Sequence, residues 1–567
     1  MLVFGIEGTA WAASAAVYDV EADSVAVETD AYQPDSGGID PSEAAEHMRS
    51  ALPSVVDRTL ENHVPGPADE AIDAVAFSRG PGLGPCLRVA GTTARSLAGS
   101  LDVPLVGVNH MLAHCEIGRH GAGFDRPVCL NASGANAHVL GFHGGRYRVL
   151  GETMDTGVGN AIDKFTRHLG WSHPGGPKVE RRANEGEYVD LPYVVKGMDF
   201  SFSGIMSAAK AAVDDGTPVE DVCFSLQENV FGMLTEVAER AMALTGSTEL
   251  VLGGGVGQNR RLQAMLAEMC EDRGAEFFAP EDRFLRDNAG MIAVLGARMF
   301  EAGDTVPVAE SRVIPGYRPD EVPVTWRAGE SVAVGDRAGE DRHRGAEAVV
   351  TVEGDRVVKR RVPKGYRHAA LDDRLRRDRT VLEARLTSKA RRSGVPTPLV
   401  LDVDPEEARL VLQFVGDADL RDLVDGAGDD ATVDGSGDAA TGDASTGHGS
   451  GTSATEADPE RLVRTVGEHL ARLHGEGFVH GDPTPRNVRV GDRVYLIDFG
   501  LGYHTDTVED FAMDLHVFRQ GLAGTAEDVE GLAAAAEDGY RERGDPRVVD
   551  QLREIDRRGR YREQDGE

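Results

Sequence analysis

Two apolar runs end in turns that only small residues can make: Gly5-Ile-Glu-Gly-Thr near the start of the chain, and Leu250-Val-Leu-Gly-Gly-Gly-Val-Gly much later. Without a Cβ, glycine lets backbone N–H groups come close to phosphate oxygens. Two such strand-to-turn junctions predict an α/β domain with phosphate-facing loops. Residues 1 to about 320 fit it, with predicted strands and helices alternating around further glycine turns such as Gly80-Pro-Gly-Leu-Gly. After Tyr317 the character changes. Arg318 to Arg344 is rich in charge, glycine and proline without periodicity, which is linker composition. The expected organisation is a first domain over 1–320, a linker over 321–344 and a second domain over 345–567. A Gly/Asp/Ser/Thr/Ala stretch at about 426–458 interrupts the second domain. It has almost no large apolar residue to offset its ordering entropy, so a disordered acidic insert is predicted there.

The 567 residues exceed what one hydrophobic core can hold. No apolar run reaches the roughly 18 residues of a membrane span, and the first strand lacks a basic leader. A cytoplasmic protein without membrane contact is expected. The 5 cysteines form no C-x-x-C pair, so neither a disulfide framework nor a cysteine zinc site is predicted. Net charge is −35, from 95 acidic and 60 basic residues. That balance suits solubility at very high salt. It opposes general attraction to nucleic acid, so any RNA role requires local basic patches.

Asn109-His-Met-Leu-Ala-His114 places two imidazoles four residues apart. On a helix they share one face, where neutral nitrogens can hold one divalent metal. The glutamate of the protease motif H-E-x-x-H is absent, which disfavours a metalloprotease. Asp287, beside a predicted helix start, is the candidate third ligand.

With the two glycine turns, the first domain suggests the actin-like ATPase architecture, two related halves clasping a nucleotide. Seven motifs then occur in order: Gly80-Pro-Gly-Leu-Gly-Pro-Cys-Leu-Arg, Asn109-His-Met-Leu-Ala-His, Ser133-Gly-Ala-Asn, Asp155-Thr-Gly-Val-Gly-Asn-Ala-Ile-Asp-Lys, Ser201-Phe-Ser-Gly, Gly253-Gly-Gly-Val-Gly-Gln-Asn and Asp287-Asn-Ala-Gly-Met-Ile-Ala. Over residues 1–320 the series resembles the archaeal and eukaryotic tRNA adenosine threonylcarbamoyltransferase, the catalytic subunit of the KEOPS complex. The resemblance implies transfer of threonylcarbamoyl from threonylcarbamoyl-adenylate to N6 of adenosine 37, in tRNAs reading codons that start with A, with release of AMP. It implies one divalent metal, iron foremost and zinc as an alternative, on His110, His114 and Asp287. It assigns the adenylate to Asn131, Ala132, Ser133, Gly134, Ala135, Asp163, Gly176, Glu180 and Asn259. One position departs: where archaeal relatives place a metal-binding tyrosine, this chain has Asn131, a weaker neutral oxygen ligand. Whether Asn131 binds the metal stays open. No obvious Ser-His or Cys-His pair appears, so direct transfer is expected.

The second domain carries Val479-His-Gly-Asp482-Pro-Thr-Pro-Arg-Asn487 and then Tyr495-Leu-Ile-Asp498-Phe-Gly500. In a kinase, the first aspartate receives the acceptor proton, and the asparagine and the second aspartate bind Mg2+. Lys359 ends a predicted strand as the phosphate-pairing lysine, with Glu383 as its helical partner. No glycine-rich G-x-G-x-x-G precedes Lys359; Gly345, Ala346, Glu347 and Ala348 stand there instead, as the expected ATP-covering turn. No Ala-Pro-Glu follows Asp-Phe-Gly. The reduced pattern and the basic tail from Asp556 resemble the small atypical serine/threonine kinase of KEOPS, which implies a bilobal α+β kinase fold, ATP and Mg2+. Partners implied are tRNA, threonylcarbamoyl-adenylate, ATP and other KEOPS subunits. A non-catalytic alternative makes the first domain a nucleotide-binding scaffold regulating the kinase.

Overall fold

The computed structural model describes residues 1–32, 39–143, 145–327, 342–344, 347–425, 458–523 and 529–560. The predicted insert up to Asp458, Gly345, Ala346 and the side chains of the basic tail lie outside them. The chain divides into two compact units, one holding Met1–Ala338 and Pro363–Asp373, the other Gly339–Val362 and Arg374–Arg557.

The first unit contains two five-stranded sheets of identical topology. One runs β3 (Ser24–Ala31), β2 (Ala12–Asp19), β1 (Leu2–Glu7), β4 (Ala74–Gly80), β5 (Leu105–Asn109). The other runs β8 (Arg146–Glu152), β7 (Ala137–His143), β6 (Val128–Ala132), β11 (Glu249–Gly253), β12 (Glu276–Phe278). A two-stranded hairpin, β9 (Val195–Lys196) with β10 (Asp199–Phe200), lies at the end of β8, where Met154 N donates to Phe200 O at 2.9 Å. In each sheet the first three strands pair antiparallel, and the first strand then pairs parallel with the fourth. These are the two related halves of an actin-like ATPase fold.

The central strands read as continuous apolar runs because helices cover both faces. Leu2–Glu7 is buried at every position, whereas the edge strand Ser24–Ala31 is half-exposed. Between the halves, the helices His110–Ala122 and Ala289–Glu301 share a core with Val3, Val106, Cys129 and Val251. At Gly5 a Cβ would lie 2.4 Å from the carbonyl oxygen of Ala289, so glycine is required for that approach.

Two segments depart from the domain boundaries expected above. The predicted linker is packed through Arg327: Trp326 Nε1 donates to Glu116 at 3.1 Å, and the Arg327 guanidinium lies 3.7 Å over the Phe142 ring. Pro363–Asp373, expected within the second domain, packs in the first unit. There Arg367 pairs with Glu236, Lys364 with Glu239, and Tyr366 OH donates to Glu239 at 3.2 Å. Buried charges persist where each has a partner, and this pairing outweighs sequence position.

The second unit is bilobal. An antiparallel sheet, β13 (Arg342–Arg344), β14 (Ala348–Glu353), β15 (Arg356–Arg361), β17 (Arg409–Gln413) and β16 (Val400–Asp404), accompanies the helix Ala369–Arg392. The other lobe is built on the helices Pro459–Gly475, Val508–Ala523, Val529–Arg541 and Pro546–Arg560 around Leu470, Phe499 and Phe518. No helix among the described residues is long and apolar enough to cross a membrane.

Candidate active sites

The metal-ligand candidates converge where the two halves of the first unit meet. Strand β5 ends at Asn109, whose side chain caps the next helix by accepting from the N–H groups of Met111 and Leu112. That cap starts the helix at His110, so His110 and His114 fall one turn apart with ring centroids 4.9 Å from each other. Asp287 arrives just before the helix Ala289–Glu301, and its Oδ1 lies 3.3 Å from Nε2 of both histidines. One ligand atom from each of the three falls within 4.8 Å of the others.

Sequence reasoning quoted Glu7 in a motif and gave it no role. It is fully buried at the end of β1 and lies 3.1 Å from His110 Nδ1. Its carboxylate also accepts from Thr9 N at 2.8 Å, Thr9 Oγ1 at 2.5 Å and Ser78 Oγ. A carboxylate closing an otherwise apolar central strand was the available signal. Such an outer carboxylate fixes the tautomer and orientation of a ligating imidazole.

The electrostatics favour a cation. Burial pulls the His114 imidazole down, toward the neutral form that ligates. Burial acts the same way on His110, but the carboxylates of Glu7 and Asp287 outweigh it and push its pKa up to about 10. Burial works to raise Asp287, and the two histidines hold it well below the usual carboxylate range instead. One buried and one half-buried carboxylate thus create a field that a divalent ion would satisfy. Asn131 is fully buried on β6, its Nδ2 3.8 Å from Met111 Sδ and its Oδ1 without a partner among the described residues. The residues present fit a metal.

In the second unit, Lys359 Nζ lies 2.8 Å from Glu383 and 2.7 Å from Asp498. Burial opposes the ammonium, yet Asp498 and Glu383 raise its pKa; desolvation would raise Asp498, but Lys359 and Arg361 draw it down to about 2. Asp498 sits at φ 63, a left-handed conformation that turns its carboxylate to the lysine. Asn487 Nδ2 donates to Asp482 Oδ2 at 3.0 Å, and Asp514 accepts the N–H groups of His480 and Gly481 at 2.8 Å. Neither Asp514 nor Arg361 was singled out from the sequence. Arg361 bridges Glu383 and Glu347 at 2.7 Å each, and Glu347 also takes Arg379 at 2.7 Å. Ala348 is buried at the start of β14. Lys359, Glu383 and Asp498 thus form one ion-paired group, and Asp482 and Asn487 a hydrogen-bonded pair.

Residues 22–294 match the family model of tRNA N6-adenosine threonylcarbamoyltransferase, and residues 454–550 that of the phosphotransferase enzyme family. A Halobacterium salinarum protein named "Probable bifunctional tRNA threonylcarbamoyladenosine biosynthesis protein" is 65% identical, covering 99% of each chain. The chain belongs to this bifunctional family. Proteins of the same name from Haloarcula marismortui and Methanospirillum hungatei are 61% and 46% identical, each covering 99% of this chain and 100% and 99% of their own. Among solved structures, HypF of T. kodakarensis is similar at a TM-score of 0.39 and 15% identity, covering 53% of this chain and 48% of that one.

The residues expected from the sequence to line an adenylate lie in segments that contact one another in turn. Gly134 O accepts from Asn160 N at 2.9 Å, at the start of the helix Val158–His168. Asp163 on that helix accepts from Gly175 N at 2.8 Å, next to Gly176. Glu180 accepts from Arg260 N at 2.9 Å, directly after Asn259, which caps the helix Arg260–Arg273. Gly254, at φ 84, closes the ring: a Cβ there would lie 2.3 Å from Ala132 O and 2.5 Å from Asn131 Oδ1.

Proposed function

We propose that this bifunctional protein transfers threonylcarbamoyl from threonylcarbamoyl-adenylate to N6 of adenosine 37 of tRNAs reading codons that begin with A, within residues 1–320. The observation that carries the reading is the convergence of His110, His114 and Asp287 beside the ring from Asn131 to Asn259. In the reaction, N6 bonds to the carbamoyl carbon, the carbon–oxygen bond to the phosphate breaks, AMP leaves and N6 gives up a proton. A divalent metal on His110, His114 and Asp287, iron in this reading, would supply Lewis-acid polarisation of an oxygen. Glu7 holds the His110 ring in its ligating orientation. Asp163, Glu180 and Asn259 position the adenylate, and the loop from Asn131 to Ala135 lines it. Holding donor and acceptor together offsets the weak nucleophilicity of a purine amine.

Residues 345–567 carry serine/threonine kinase or ATPase chemistry in support of that transfer. Asp482 takes the proton of a hydroxyl or a water as the γ-phosphoryl group leaves ADP, and Lys359, held by Glu383, pairs the phosphates. Asn487 and Asp498 would hold Mg2+. Action in the cytoplasm, alongside other KEOPS subunits, completes the reading.

The test uses the full-length protein with tRNA and threonylcarbamoyl-adenylate, followed by mass spectrometry of the digested nucleosides. Threonylcarbamoyladenosine at position 37, with one AMP per product and loss of both on chelation, is expected. Unmodified tRNA with a metal-loaded protein would sink the reading. Metal analysis of the same preparation identifies the ion.

A further inference from the structure

The two halves of the first unit differ most between their third and fourth strands. In the first half that connection is chiefly the helix Pro41–His63, which carries Arg49 and Arg58 against Glu43, Glu46, Asp57 and Glu61, a net of 2 − 4 = −2. In the second half it holds several helices, among them Val158–His168 and Gly176–Ala183. These two helices carry Lys164, Arg167, Lys178, Arg181 and Arg182 against Asp163 and Glu180, a net of 5 − 2 = +3 in a chain of net −35. Lys164, Arg167, Arg181 and Arg182 are exposed. Where acidic surface prevails, this is a local reversal of sign.

Its position is as telling as its charge. The helix Val158–His168 starts on Gly134 through Asn160, so along the helix Lys164 stands about 6 Å and Arg167 about 10 Å from that contact. The second basic helix is tied to the first by Asp163, which accepts Gly175 N at 2.8 Å and lies 3.2 Å from His173. It also carries Glu180, which reaches the turn of Asn259. The cations therefore sit on the outer sides of the helices whose inner residues are assigned to the adenylate.

We propose that Lys164, Arg167 and Arg181 form the docking surface for the phosphate backbone of the tRNA anticodon arm; Arg182 beside them is held by Glu220 at 2.8 Å. The inference rests on the transferase reading above. A polyanion seated on this patch has its target base directed to the adenylate ring, and the surrounding acidic surface repels other registers. Phosphate contacts fix position rather than sequence.

The experiment measures equilibrium binding of a tRNA transcript to the full-length protein across a salt series, for the natural chain, for the triple variant Lys164→Ala/Arg167→Ala/Arg181→Ala and for the control Arg49→Ala. Each phosphate contact contributes about one to the slope of log K against log salt. The triple variant is expected to lower the slope by about 2 to 3 and to weaken binding about tenfold or more at the lowest salt. KM for tRNA should rise with it, while the control stays at the natural value. Circular dichroism melting confirms that the variants are folded, and charge restoration by Lys164→Arg in place of alanine should recover its share of the slope. An unchanged slope in the triple variant overturns the proposal, as does loss of a protein partner without loss of tRNA affinity. If the natural chain itself neither binds nor modifies tRNA, the transferase reading fails instead.

Discussion

The two centres solve opposite charge problems. At the first, Glu7 and Asp287 face two imidazoles of which only His110 is held toward its protonated form, so two carboxylates meet a single positive charge and negative charge is in surplus. At the second, Asp498, Lys359, Glu383, Arg361, Glu347 and Arg379 alternate in sign along one ladder of ion pairs. A site with surplus negative charge favours a resident cation. In a balanced ladder each charge already has a partner, so no resident cation is called for. The chain thus joins a site with surplus negative charge to one whose charges are all paired.

The sharpest way to break this contrast is to remove a metal ligand. His114→Ala should abolish bound metal and reduce transfer by more than the ~10–100-fold that an outer-sphere loss costs, with ATP hydrolysis unchanged; metal analysis alongside AMP release decides it. A variant that keeps its metal would end the account of the first centre. Asp482→Asn should lower phosphoryl transfer or ATP hydrolysis by about 10²–10⁴-fold and leave the metal content intact. Glu7→Gln sharpens the distinction between ligand and support. It should weaken metal affinity by about 10–100-fold, read by chelator competition, without emptying the site at excess metal. The smallest effect belongs to Arg361→Lys, which keeps the charge but cannot bridge Glu383 and Glu347 in fork geometry. It should raise the KM for ATP about fivefold, near 1 kcal/mol, with little change in kcat, and an unchanged KM would remove Arg361 from the ladder.

Much of both centres was legible because their residues lie in local patterns. His110 and His114 share one helical face by spacing alone, and His-Gly-Asp482, Asn487 and Asp498 stand at kinase intervals. Glu7, Arg361 and Asp514 were not legible as partners, since each acts on a residue remote in sequence: Glu7 meets His110 across 103 positions. The linker reading erred for a related reason. Arg327 looks like surface charge until Tyr147 and the ring of Phe142 supply its buried partners.

By itself the sequence determined the alternation of strands and helices, the small-residue turns and which side chains are candidates for metal ligation and phosphoryl transfer, because helix spacing, glycine geometry and side-chain chemistry are local properties. Only the tertiary structure decided that the first unit is built from two sheets of the same topology, that Asp287 reaches both histidines, and that Pro363–Asp373 packs with Glu236 and Glu239. Those outcomes depend on which distant charges and surfaces are buried together, and burial is a property of the whole fold.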